Sequence, residues 1–230
     1  MPETTCDTKL GGEDARLLPQ KAVYFPGSRT LVVADVHIGK GASFRSRSYF
    51  APDGMTSHDL NCLSMLLERH RAERLIILGD LVHSQDGLTK AEIELFDNFR
   101  LSHETICMIL IVGNHDRRAH LPDSWKLDLV KGHMHEGSFI YCHEYEEHRK
   151  TRVAEKKKEA RNYVLSGHIH PSVILYGAAK QKERLPCFWL RRKYAVLPSF
   201  GVFTGSYAIR PSQTDKVFVV AKDTVIPVIR

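Results

Sequence analysis

The sequence has no apolar run long enough to cross a bilayer, and its opening stretch carries Asp7, Glu13 and Asp14 where a secretory leader needs a basic and then an apolar segment. The expectation is a cytoplasmic protein with no membrane partner. Cysteine is sparse: Cys6, Cys62, Cys107, Cys142 and Cys187 are odd in number, widely scattered and without a C-x-x-C pair. That pattern fits reduced thiols better than a disulfide framework or a structural zinc site. There is no internal repeat and no low-complexity tract, which excludes a solenoid or a linker-rich array. Charge of one sign is not in large excess either. Lys and Arg number 33 against 27 Asp and Glu, and the resulting +6 favours polyanionic partners without identifying one. What remains, 230 residues of which 43% are hydrophobic, is enough for the core of one large domain.

Residues 1–20 carry Gly11-Gly12 and many charges, and are expected to form a mobile tail ahead of a single domain over 21–230. A strand at Thr30-Leu31-Val32-Val33-Ala34 runs into Asp35-Val36-His37, and a polar loop follows. Leu60, Leu63, Leu66 and Leu67 recur at helical spacing over 56–70. The strand Leu75-Ile76-Ile77-Leu78 ends in Gly79-Asp80, Thr89 and Glu92 form a capping box for a second helix, and the apolar run 106–112 ends in Gly113-Asn114-His115-Asp116. This alternation predicts an α/β fold with parallel strands and polar residues gathered at their carboxyl ends. The second half reads as short strands over 138–142, 163–166, 173–176, 188–190, 194–197, 217–221 and 225–229. A second, largely antiparallel sheet packed on the first is expected, giving two packed mixed β-sheets, a β-sandwich core, flanked by helices. The stretch 144–161 interrupts it and carries nearly balanced charges, the pattern of a solvated helix or excursion.

Asp35, His37, Asp80, Asn114, His115, His143, His168 and His170 each follow an apolar run. Asp35 and His37 are two apart, so an extended backbone would point both the same way, and His168 with His170 repeats that spacing. Carboxylate, amide oxygen and imidazole suit manganese, iron, zinc or magnesium. The donors are too many for one ion, and paired divalent ions are a recurring device for displacement at phosphorus.

Together, Asp35-x-His37, Gly79-Asp80, Gly113-Asn114-His115-Asp116, His143 and Gly167-His168-x-His170 resemble the ordered motifs of the calcineurin-like metallophosphoesterase superfamily. Val33 to Lys40, Leu78 to Ser84, Gly167 to Pro171, and Leu197-Pro198-Ser199-Phe200-Gly201 with Thr204-Gly205 are similar to the bacterial ligase-associated DNA-damage-response endonucleases, whose genes accompany a DNA ligase, a helicase and a nuclease. The resemblance implies two divalent ions, manganese first, with magnesium, zinc or iron as alternatives. It places Asp35, His37 and His170 on one ion, Asn114, His143 and His168 on the other, and Asp80 across both. His115 would face the leaving-group oxygen, with Asp116 holding its ring. The implied activity is hydrolysis of DNA phosphodiesters by a metal-bridged hydroxide, in repair. The sequence departs from the pattern at Glu144, where many relatives have a small residue.

Arg45 and His83 are the candidate substrate contacts, and an ordinary capping role fits His83 equally well. Arg45 and Arg47 lie among Phe44 and Tyr49, and Arg184, Arg191, Arg192 and Lys193 near Phe188 and Trp189. Such interleaving suits single-stranded nucleic acid and also suits ordinary solubilised strands. His133-x-His135 follows Lys131-Gly132 in a turn-like stretch and is expected at the surface. The same catalytic motifs would serve a phosphatase or phosphodiesterase of small phosphoesters. A scaffold without catalysis has no need of Asp80, His115 and Asp116.

Overall fold

In the computed structural model, which describes residues 3–145, 162–177 and 181–228, the chain begins with a hairpin rather than a tail. Strands β1 (Cys6–Leu10) and β2 (Glu13–Leu17) pair antiparallel across Gly11 and Gly12, whose φ angles of 56° and 92° suit glycine. Leu10, Ala15 and Leu17 are buried, while Lys9 with Asp14 and Arg16 with Asp7 form ion pairs of 2.7 Å on the outer face. The expected tail is thus overturned for these strands: its charges were every second residue of a half-buried sheet edge.

Strand β3 (Val23–Phe25) continues the antiparallel meander. Parallel neighbours β4 (Thr30–Val33), β5 (Arg74–Ile77), β6 (Cys107–Val112) and β7 (Asp128–Lys131) complete the first sheet in chain order. The β4–β5 crossover contains α1 (Lys40–Ser46) and α2 (Met55–His70), and the β5–β6 crossover contains α3 (Lys90–Ser102). Helix α1 lies where a polar loop was expected. Thr89 caps α3 by accepting the Glu92 N–H at 3.4 Å, one half of the expected box. Leu31, Val33, Leu75, Ile77 and Leu110 pack with Leu63, Leu66, Phe96 and Phe99 of the helices. Val32, Ile76, Ile109 and Ile111, from the alternate positions, pack with Phe139, Leu165, Phe188 and Leu197 of the second sheet. Because both faces are covered, these strands read as unbroken apolar runs.

The second sheet comprises β8 (His133–Glu136), β9 (Phe139–Cys142), β10 (Tyr163–Ser166), β11 (Pro171–Tyr176), β12 (Lys182–Leu190), β13 (Tyr194–Val196), β14 (Tyr207–Ala208), β15 (Lys216–Ala221) and β16 (Thr224–Val228). It is largely antiparallel, as expected, and mixed because β9, β10 and β13 run parallel in its middle. Their carboxyl ends meet those of β4, β5 and β6, which places two sets of polar loops face to face. His133 and His135 lie in strand β8 opposite Cys142 and Ile140, not in a turn. Of the charged stretch 144–161, residues 146–161 lie outside the described residues. Among the described residues no helix is long and apolar enough to cross a membrane.

Candidate metal centre

Each polar loop leaves its strand through an unusual backbone. Among the described residues eleven non-glycine residues have positive φ, and five of them are expected ligands: Asp35, His37, Asp80, His168 and His170, with φ between 47° and 74°. Left-handed backbone costs a residue with a Cβ about 1–2 kcal/mol, so clustering it here marks a constrained site. Asp35 and His37 therefore do not share a direction through extended backbone, as their spacing suggested; two left-handed residues do that work. Neighbouring loops hold them in place. Asp35 N–H donates to Gly79 O at 3.1 Å, His37 N–H to Asp80 O at 3.0 Å, and His168 N–H to Asp35 Oδ2 at 3.0 Å.

The side chains gather in overlapping groups whose donor atoms lie within 4.8 Å of one another: Asp35, His37 and His170; Asp80, His143 and His168; and His37, His83 and His115. His170 Nε2 lies 3.3 Å from Asp35 Oδ1. His143 Nε2 is 3.4 Å from Asp80 Oδ2, 2.9 Å from Asn114 Oδ1 and 3.0 Å from His168 Nδ1. All seven expected metal ligands are thus brought together, with Asp35 and Asp80 buried.

This arrangement fits cations. Both ring nitrogens of His37 and the Nε2 of His170 are buried without a hydrogen-bond partner, which is costly for polar atoms unless a ligand occupies them. Carbonyl acceptors fix two tautomers: His143 Nδ1 donates to Leu78 O at 2.8 Å and His170 Nδ1 to Gly205 O at 3.0 Å. In the neutral ring each Nε2 is then the free lone pair, and it points at a carboxylate. Burial lowers His37 to about 2, so its ring is neutral and able to ligate. At His143 burial opposes the charge, but the Asp80 hydrogen bond and the fields of Asp35 and Asp80 outweigh it and raise the imidazole to about 9. A proton on His143 is therefore stabilised by the atoms that would hold an ion, and loading competes with protonation.

His115 sits at the edge of this cluster. Its backbone N–H donates to Asp80 Oδ1 at 2.9 Å, and its Nε2 lies 4.0 Å from Asp80 Oδ2. Its Nδ1 donates to the His83 carbonyl, so that carbonyl, and not Asp116, sets the ring. The expected role of Asp116 is corrected here. Its carboxylate turns back to accept the Gly113 N–H at 2.9 Å and the Val82 N–H at 3.1 Å, which ties the two loops together. Burial raises it to about 6. The His83 ring stacks on His115 with centroids 5.1 Å apart, and burial followed by the nearby Lys40 charge lowers it to about 4. Arg45 also departs from expectation as a substrate contact: its Nη1 grips Pro52 O at 2.9 Å and Ala51 O at 3.3 Å and pairs with Asp53 at 3.2 Å. The cluster around Arg191 lies at the other end of the strands, where Arg191 pairs with Asp215 at 2.9 Å and lies over Trp189 and Tyr194.

Glycines leave room for this crowding. A Cβ on Gly113 would fall 2.3 Å from Asp80 Oδ1, and one on Gly79, at φ 82°, would fall 2.3 Å from His143 Nδ1. Four supports escaped the sequence reading. Ser199 Oγ donates to Asp35 O at 2.7 Å, and Gly201 N–H to the same oxygen at 3.2 Å. Asp59 of α2 accepts the Val202 N–H at 3.2 Å, while Lys21 Nζ donates to Gly201 O at 3.4 Å. Only the motif Leu197 to Gly201 with Thr204-Gly205 signalled this loop, and it assigned no roles.

A family model for calcineurin-like phosphoesterases matches residues 28–132. None of the curated proteins matches the chain. Among solved structures, the nuclease MPE of Pseudomonas putida is 33% identical with a TM-score of 0.81, covering 98% of this chain and 100% of its own. The protein of unknown function AQ665 from Aquifex aeolicus is 18% identical with a TM-score of 0.43, covering 61% of this chain and 78% of its own. The Escherichia coli phosphoesterase Yfce is 12% identical with a TM-score of 0.40, covering 84% and 87%. The last two are too distant to bear on the argument.

Proposed function

The chain belongs to the calcineurin-like phosphoesterase family and is a metal-dependent phosphoesterase, and from that premise we propose that it is an endonuclease that cleaves DNA phosphodiesters in repair. Asp35, His37 and His170 would hold one divalent ion, Asn114, His143 and His168 the second, with Asp80 shared. Manganese suits this set of carboxylate, amide and imidazole donors, and magnesium, zinc and iron are the alternatives. Bound there, such ions acidify water and neutralise charge on the phosphoryl oxygens. The chain's own residues do the rest. His115, as the imidazolium with its Nδ1–H held by the His83 carbonyl, would give its Nε2 proton to the departing oxygen and be left neutral. Asp116 keeps Gly113 and Val82 in register, so His115 and Asp80 stay at fixed separation. The observation that carries the reading is the convergence of seven donor residues beside an imidazole whose ring is held by the His83 carbonyl.

DNA as substrate is supported by the net charge of +6 and by the likeness to a nuclease over the whole chain. The wider reading places the protein in the cytoplasm beside a DNA ligase, a helicase and a nuclease, and co-purification of those partners is its test. For the reaction, chelator-stripped protein is reloaded with manganese, magnesium, zinc or iron and offered plasmid, single-stranded DNA, bis(p-nitrophenyl) phosphate and p-nitrophenyl phosphate. Cleavage of DNA and of the diester, lost in Asp80→Asn and weakening as salt rises, is expected. Cleavage of the monoester alone would refute the nuclease and leave a phosphatase of small phosphoesters.

A further inference from the structure

A row of rings leads out of the metal centre. His83 stacks on His115, Phe44 follows His83 at 6.1 Å, and Tyr49 follows Phe44 at another 6.1 Å, with Phe203 edge-on to Phe44 at 5.6 Å. At its outer end Tyr49 is 65% and Phe50 91% exposed. These two rings are held out by a built segment. Ser48 N–H donates to Arg45 O at 2.9 Å and Tyr49 N–H to Phe44 O at 3.0 Å, while Arg45 clamps the carbonyls of Ala51 and Pro52 just beyond Phe50. A single exposed apolar side chain needs no explanation, but a clamped pair of which Tyr49 continues the row from His115 does. Arg47 on the same segment is exposed and pairs with Asp86 at 3.3 Å, and Lys40 opens the helix beside His37 and His83. Ring faces interleaved with cations match a flexible polyanion that also carries flat apolar groups.

Resting on the nuclease reading, we propose that Tyr49 and Phe50 form a stacking platform for bases that flank the cleaved phosphodiester of a DNA strand. Base stacking on one aromatic side chain corresponds to about a ten-fold effect on binding.

Manganese-loaded wild type, Phe50→Ala, Tyr49→Ala, Phe50→Leu and Phe50→Trp are compared on a single-stranded oligonucleotide, on the same oligonucleotide carrying an abasic tract, and on bis(p-nitrophenyl) phosphate. The ratio of oligonucleotide to small-diester kcat/KM should fall about ten-fold in Phe50→Ala, Tyr49→Ala and Phe50→Leu, through KM, and recover in Phe50→Trp. The abasic tract should abolish the difference between wild type and variants. The proposal is overturned if the ratio is unchanged while wild type still cleaves the oligonucleotide, or if Phe50→Leu matches wild type, since an apolar contact would then suffice. A wild type that cleaves the small diester but no DNA overturns the nuclease reading itself, a result visible before any variant is made.

Discussion

Replacing Gly113 by alanine adds one carbon at the most crowded point of the site. The new Cβ would lie 2.3 Å from Asp80 Oδ1 and 2.5 Å from Asp80 N, where ordinary contacts are about 3.5 Å. The Asp80 carbonyl accepts the His37 N–H, so the main chain resists retreat, and relieving both contacts shifts the Asp80 loop and its carboxylate together by about 1 Å. That movement also strains the His115 N–H bond to Asp80 Oδ1. A displacement of this size typically costs about 100-fold in rate, and overpacking costs about 1–3 kcal/mol of stability. Gly113→Ala should therefore stay folded, lose about two orders of magnitude in kcat on bis(p-nitrophenyl) phosphate at saturating manganese, and bind the metal about ten-fold more weakly by calorimetry. Gly27→Ala is the control, because nothing lies within 4 Å of its Cβ. Activity and metal affinity within three-fold of wild type in Gly113→Ala would refute the steric reasoning.

His115→Ala should keep its metals and lose about 100-fold or more on poor leaving groups but much less on nitrophenolate, whereas Asp116→Asn should slow both substrates alike, because it unties Gly113 from Val82; a leaving-group-selective loss in Asp116→Asn would restore it as the orienter. Burial raises Asp59 to about 7, above the 3.8 of a free side chain, so the native state binds the extra proton between those values and stability falls as pH rises through that window, by no more than about 4 kcal/mol. Urea unfolding of chelated protein at pH 4 and pH 8 should show a smaller drop in Asp59→Asn than in wild type, and equal drops would sink the assignment. Chelation should leave far-UV circular dichroism unchanged and lower the melting point only by the ligation linkage, about 2.7 kcal/mol at one hundred times Kd; unfolding on metal removal would contradict a site held by backbone bonds.

The ligands were legible because each lies just past a covered strand: an apolar run without alternation, then polar residues, with Gly between them at Gly79, Gly113 and Gly167, is what a parallel strand leaves at its carboxyl end. The roles of Asp116, Arg45 and the opening hairpin were not legible, for three different reasons. Asp116 follows His115 in sequence, but a 3₁₀ turn at Asp116–Arg118 swings its carboxylate back to the Gly113 N–H, and the group that does hold the ring is a main-chain carbonyl that leaves no mark on residue type. Arg45 stands ten residues after Asp35, yet a cation with several donors satisfies three nearby oxygens sooner than it waits for a substrate. The hairpin buries only every second side chain, so its charges outnumber its apolar residues.

The left-handed residues also explain why the site is built from bonds between loops. Five such residues at about 1–2 kcal/mol each amount to a sizeable part of the 5–15 kcal/mol by which a domain is stable. The strain persists because the loops cross-link each other: Asp35 to Gly79, His37 to Asp80, His83 to Ile38, Gly167 to His143, and Phe200 to Ala34 by main-chain hydrogen bonds of 2.8–3.1 Å. No one of these loops would adopt its conformation alone. Each is over-determined by a partner from another strand, and three of the five bonds join loops of the first sheet while two reach or lie within the second. The sandwich is thus what makes the donor set possible: two sheets whose parallel strands end at one edge supply enough facing main chain to hold buried carboxylates and imidazoles close together before any ion arrives.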